Sequence, residues 1–156
     1  MAGMTDASKA RLVALLLPLA LLGGALGSQY IGGLHPCEMC YWQRWPHGVA
    51  IVLAALSFVT RNGTSRMLTL LAAVAIAVSG AIGVYHAGVE AGVFEGLTTC
   101  TANGARTLNE ILTAPLVRCD QVQFSFLGIS MAGWNAILSL SGAALIVFLL
   151  LKDRRA

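Results

Sequence analysis

"MLTLLAAVAIAVSGAIGVY", residues 67–85, runs for nineteen positions without an acid or a base. At a rise of about 1.5 Å per residue, a helix of that length nearly crosses a hydrocarbon core of about 30 Å. Three other stretches read the same way, over 12–31, 41–60 and 129–151. The stretch at 41–60 is the least regular. Arg44 and His47 stand near its start and its uninterrupted apolar part, 49–59, is short, so its first turns are expected at the membrane interface. Composition agrees: 57% of the 156 residues are hydrophobic and 11% charged, whereas about a quarter of a soluble domain is charged.

The largest gap between these spans, 86–128, is poor in apolar runs and leaves no material for a second, soluble domain. The expectation is an all-α integral membrane protein, a four-transmembrane-helix bundle forming one domain over 1–156, with outer loops at 32–40 and 86–128. There is no repeat, no low-complexity segment and no basic run suited to nucleic acid. Membrane lipid is the bulk partner.

Charge then sets the orientation. Lys9 and Arg11 precede the first span, Arg61 and Arg66 separate the second from the third, and Lys152, Arg154 and Arg155 follow the fourth; only Arg44, Arg106 and Arg118 fall on the other side. The positive-inside rule places both termini and the loop around Arg61 in the cytoplasm, which also explains a net charge of +3. All four cysteines, Cys37, Cys40, Cys100 and Cys119, then face the bacterial periplasm or its equivalent, where disulfides persist. Lys9, Arg11, the apolar 12–22 and the small residues before Ser28 also have the form of a cleaved signal peptide. The length of 12–31 favours an uncleaved helix, and the cysteines lie outside in either case.

Cys37-Glu38-Met39-Cys40 is a C-x-x-C pair, a spacing that lets two sulfurs meet across one helical turn and lowers the pKa of one of them. The same spacing serves half of a four-cysteine zinc site, but Cys100 and Cys119 do not form a second short pair, so no metal is expected. A pair of structural staples is the other reading; a C-x-x-C at a helix mouth staples almost nothing. Arg44 falls one turn after Cys40 if a helix begins there, where a guanidinium either stabilises a thiolate or snorkels to headgroups. Tyr41, Trp42 and Trp45 form an aromatic cluster, a belt anchor that could also wall a flat ring entering from the lipid. Pro46 fits a helix if it sits in the first turn.

The long outer loop carries Cys100 and Cys119 among Gly, Thr, Asn and Pro, with Leu108, Ile111 and Leu112 on one face of a short helix suited to the membrane surface. A disulfide there would be open to a soluble thiol partner. His86, at the outer end of the third span, reads as an interfacial polar end or a proton donor. Ser79 and Asn135 read as interhelical hydrogen-bond formers.

Taken together, "CEMCYWQRWP" at the mouth of the second span, "YHAGVE" after the third, a second cysteine pair in a long outer loop and "LGISMAGWNAILSL" entering the fourth resemble the DsbB family, quinone-dependent disulfide-generating proteins of bacterial inner membranes. The resemblance covers nearly the whole chain. It implies a catalytic set of Cys37, Cys40, Cys100, Cys119 and Arg44. Cys40 and Arg44 would lie beside an exchangeable ubiquinone or menaquinone, with His86, Trp42 and Trp45 as further cofactor-binding candidates. It also implies that Cys100 is attacked by a periplasmic thioredoxin-like (DsbA-like) protein and that Cys119 exchanges with Cys37. Phe124 stands where relatives often carry Trp, and Gln43 where some carry an acid. Two rivals remain: a vitamin K epoxide reductase-like enzyme, and a non-enzymatic subunit with structural disulfides.

Overall fold

A computed structural model of the chain describes residues 4–96 and 117–153. Its helices are α1 (Asp6–Tyr30), α2 (Glu38–Val59), α3 (Asn62–Glu90) and α4 (Met131–Asp153), with a hairpin of β1 (Ser125–Phe126) and β2 (Ile129–Ser130) just ahead of α4. Among the described residues α1, α3 and α4 are long and apolar enough to cross a membrane. The protein is therefore a helical membrane protein with a fourth helix, α2, whose polar start the sequence already marks.

The helix ends follow local chemistry more than the edges of the apolar runs. Thr5 caps α1 by accepting the Ser8 N–H at 3.2 Å, so the helix starts well ahead of residue 12. α3 passes residue 85 and stops only where Gly92 takes a left-handed φ of 70°, which puts His86 and Glu90 inside a continuous helix. Residues 129–130 pair as a strand: Leu127 and Gly128 adopt φ of 53° and 77°, the two-residue turn that matches strand twist, so α4 begins at Met131. Pro46 also departs from expectation. It lies in the third turn of α2, where its missing N–H removes the bond that would close on Trp42, a loss membrane helices tolerate.

Small residues hold the helices together. Ala10, Ala14, Ala50, Ala54, Ala72, Ala73 and Ala143 are buried with Ile76 and Ile146, and they allow the close approach that packing within lipid requires. At Gly83 a Cβ would stand 3.0 Å from Ala132 O and 3.1 Å from Ala136 N, so α3 and α4 touch backbone to backbone there. Leu16, Val52, Val74 and Phe148 point outward, as a lipid-facing surface demands.

One end of the bundle is basic. Asp6 pairs with Lys152 at 3.1 Å, Asp153 Oδ1 accepts the Ala7 N–H at 3.1 Å, and Arg66 donates to Leu150 O. The start of α1, the α2–α3 turn and the end of α4 therefore share that end. Cys37 caps α2 at the other.

Candidate functional site

The start of α2 builds the site. Cys37 is the N-cap and its sulfur accepts the Cys40 N–H at 3.4 Å, which folds the C-x-x-C into one turn and brings the two Sγ atoms to 3.0 Å. α3 supplies His86, whose Nε2 lies 3.5 Å from Cys37 Sγ and 3.8 Å from Glu90 Oε1. Cys119 arrives from the segment before the hairpin, and its sulfur, Cys37 Sγ and a His86 ring nitrogen lie within 4.8 Å of one another. Met39, Val89 and Val117 wrap the group in apolar surface. Three of the four cysteines thus meet; Cys100, Arg106 and the helix expected around 108–112 lie outside the described residues.

Within the pair the proton belongs to Cys37. Its thiol donates to Cys40 and is buried, both of which push it above the ordinary value of 9.0. Cys40 is held below that value, first by the Cys37 thiol hydrogen bond, then by a hydrogen bond from the Cys37 backbone and by the Arg44 charge, against the cost of burial. Arg44 does not snorkel away: it donates to Gln29 Oε1 and, at 3.2 Å, to Ala25 O, both on α1, and its guanidinium lies 5.1 Å from the Tyr41 ring centroid. The thiol whose pKa is lowered and a cation thus share the first turns of α2.

A directed string of hydrogen bonds runs inward from the thiols. Gln43 Nε2 donates to Met39 O at 3.2 Å, which fixes the amide, and the same nitrogen donates to His86 Nδ1 at 2.8 Å. Gln43 Oε1 accepts from Asn135 Nδ2 at 2.8 Å, and Asn135 Oδ1 accepts from His47 Nε2 at 2.9 Å and from Ser139 Oγ at 3.0 Å. Ser79 joins by donating to Gln43 O at 2.8 Å. With Nδ1 an acceptor, the proton of a neutral His86 sits on Nε2, the nitrogen that faces Cys37 Sγ, Glu90 and the Cys119 backbone. Cys37, His86 and Cys119 also stand close enough together to hold a metal ion, which would have to displace the proton that the Gln43-bound tautomer places on the nitrogen facing Cys37.

A cavity of about 590 Å³ opens between α1, α2 and α4. Cys40, Gln43, Arg44, His47 and Asn135 line one side; Phe124, Phe126 and Trp134 line another, together with apolar residues of α1. Trp134 is fixed by donating to Phe126 O at 3.0 Å. Trp42 and Trp45 are outside this lining, and Trp45 is 76% exposed. His86 borders instead a smaller cavity of about 40 Å³ beside Cys37 and Cys40. Sequence reasoning noted Gln43 as a departure from relatives and His47 as a polar residue opening the second span, but it placed neither of them, nor Trp134, in the site. The available signal was a set of polar side chains, Gln43, His47, Ser79 and Asn135, inside otherwise apolar runs, where such residues are costly and carry function.

Fold and site define a helical membrane protein with a polarised dithiol at a helix mouth, beside an apolar cavity. The chain belongs to the family of disulfide bond formation protein DsbB, whose pattern matches residues 7–149. Among curated proteins it is 27% identical over 143 residues to disulfide bond formation protein B of Polaromonas sp. (strain JS666 / ATCC BAA-500), covering 83% of each chain. It is also 23% identical over 146 residues to the uncharacterized protein RP370 of Rickettsia prowazekii (strain Madrid E), covering 88% of this chain and 83% of that one. No solved structure matches. The protein is thus a disulfide-forming membrane oxidoreductase of a bacterial inner-membrane family.

Proposed function

We propose that this single four-span domain generates disulfides by moving electrons from a periplasmic thioredoxin-like (DsbA-like) dithiol protein to membrane quinone. The observation that carries the proposal is the two-sided placement of one dithiol. Cys40 lines the large cavity, while Cys37 lies with Cys119 and His86 on the side of the outer loop. The basic end formed by α1, the α2–α3 turn and α4 supports cytoplasmic termini, with the cysteines facing the periplasm.

In the proposed sequence Cys100, in a disulfide with Cys119, is attacked by the partner's thiolate, and the partner leaves oxidised. Cys119 then attacks Cys37 of the Cys37–Cys40 disulfide, and Cys40 departs as a thiolate beside Arg44; the Cys37 thiol joins in its support only once that sulfur is free again. Cys100 resolves the Cys37–Cys119 bridge, which leaves Cys37 and Cys40 as the reduced pair. Bound quinone supplies a two-electron, two-proton acceptor for that pair. The lining fits such a ring: its walls are apolar, and two buried polar atoms, Arg44 Nε and His47 Nδ1, have no protein partner. Arg44 holds charge beside Cys40, and His86 sets its N–H between Cys37 and the Cys119 backbone. The test is anaerobic: the fully reduced protein is mixed with decylubiquinone or a menaquinone analogue and its remaining thiols are counted by alkylation. Loss of the Cys37 and Cys40 thiols with either analogue supports the reading; retention of both with each of them rejects it.

A further inference from the structure

The large cavity reaches a side chain that the thiol chemistry leaves unused. His47 is 3% exposed and lines the cavity. It lies seven residues beyond Cys40 on α2, two turns and about 10.5 Å along one helix face. Its two ring nitrogens are in opposite situations. Nε2 is 2.9 Å from Asn135 Oδ1 and 3.0 Å from Ser79 Oγ. The Asn135 oxygen is an acceptor because its amide nitrogen is committed to Gln43 Oε1 and Ser79 O, and the Ser79 hydrogen is committed to Gln43 O. Both neighbours of Nε2 therefore accept, and the proton of a neutral ring sits there. Nδ1 is left as a bare lone pair, buried and without a partner in the protein. Buried polar atoms are rarely left unpaired; Nδ1 exposes almost no surface, so a donor in the cavity reaches it by a small turn of the ring.

We propose that His47 Nδ1 accepts a hydrogen bond from a ring hydroxyl of hydroquinone, so that this part of the cavity selects the reduced ring over the oxidised one. The inference rests on the quinone reading above and deepens it. A quinone oxygen is only an acceptor and would meet Nδ1 lone pair against lone pair. Hydroquinone is the same ring with two electrons and two protons added, and it presents O–H where the quinone presents C=O. The distance along α2 suits this arrangement, since a six-membered ring with a hydrogen bond at each para oxygen is also about 10 Å long. Selecting the product favours reduction of the ring without any further charge near Cys40.

The test is binding, read by quenching of tryptophan fluorescence with Trp134 in the cavity wall. Decylubiquinol is titrated into reduced protein and decylubiquinone into oxidised protein, so that neither pair reacts. His47→Leu is expected to weaken decylubiquinol about tenfold and decylubiquinone less than about threefold, the loss of one hydrogen bond to one form. His47→Phe gives the same readout if the leucine variant does not fold. His47→Gln is the rescue, because its amide nitrogen can serve Asn135 while its carbonyl oxygen faces the cavity; it should keep the preference within about threefold. Equal loss of both forms, or no loss of either, overturns the assignment of His47 and leaves the quinone site standing. Failure of unaltered protein to bind either form overturns both readings.

Discussion

Replacing Asn135 with alanine should cost this protein more stability than any other single polar truncation on α4. The amide gives its hydrogens to Gln43 Oε1 at 2.8 Å and to Ser79 at 3.2 Å, and its oxygen takes those of His47 at 2.9 Å and Ser139 at 3.0 Å. Three of these bonds cross between helices, the Ser139 contact staying within α4; at an average of about 0.6 kcal/mol for an interhelical hydrogen bond within a membrane they amount to about 1.8 kcal/mol. Gln43 Oε1 then has no other donor among the described residues, and an orphaned buried acceptor adds at least about 1 kcal/mol. The expected loss is about 3 kcal/mol. Ser141→Ala is the control on the same helix, because Ser141 Oγ is exposed and bonds only to its own helix at Ile137 O (2.7 Å) and Leu138 O (3.2 Å); it should cost less than about 0.5 kcal/mol. Both would be read by equilibrium unfolding in mixed micelles, followed by helical circular dichroism. A double-mutant cycle of Asn135→Ala with Gln43→Ala should show coupling of about 1 kcal/mol. Equal losses for Asn135→Ala and Ser141→Ala would refute the buried string as a structural element.

Other outcomes follow from the same geometry. Cys40 has a pKa lowered in the fold, so in the unfolded reduced chain this thiol keeps its proton where the folded one has lost it; stability of the reduced protein should rise with pH between the lowered value and the ordinary 9.0. In the same window Cys40 should alkylate rapidly, and Arg44→Met should move the midpoint of its rate-pH profile upward; an unmoved midpoint would remove Arg44 from the thiolate's support. Gly83→Ala should destabilise by about 1–3 kcal/mol in the micelle assay because its Cβ meets backbone at 3.0 Å, whereas Gly23→Ala, with nothing within 4 Å, should be neutral or slightly stabilising. With Cys40 and Cys100 both replaced by serine, mild oxidation should close a Cys37–Cys119 disulfide within the monomer, given their separation of at most 4.8 Å; a persistent pair of thiols would deny the exchange step. Reduced protein incubated with zinc and desalted should retain less than one equivalent, since His86 turns its protonated nitrogen toward the sulfurs.

Much of the fold was legible because lipid imposes a coarse rule: long uncharged runs such as 67–85 become helices whatever their detailed order. The ends were less legible, because single residues set them. Thr5 starts α1, Gly92 stops α3, and Leu127 with Gly128 turn a hairpin where the apolar run alone read as helix. Pro46 misled for a related reason: soluble helices confine proline to the first turn, and a membrane helix does not. In the site, C-x-x-C with Arg44 one turn later was readable from helical spacing, whereas the approach of Cys119 followed only from the family resemblance. The pairing of Gln43, Asn135 and His47 depends on which faces of α2 and α4 meet. Nothing in the local sequence carries that, although an isolated amide in a long apolar run such as Asn135 asks for a partner.

The central claim is that one dithiol, Cys37 and Cys40, connects soluble thiol exchange to a lipid-soluble acceptor. Its most direct test is the oxidation of a reduced thioredoxin-like dithiol protein by the purified protein in detergent, with and without added ubiquinone or menaquinone analogue. Saturable turnover that requires quinone, disappears in Cys40→Ala and falls at least about tenfold in Arg44→Ala is the expected result. Quinone-dependent turnover that survives Cys40→Ala, or none at all from folded protein with either quinone, would contradict it.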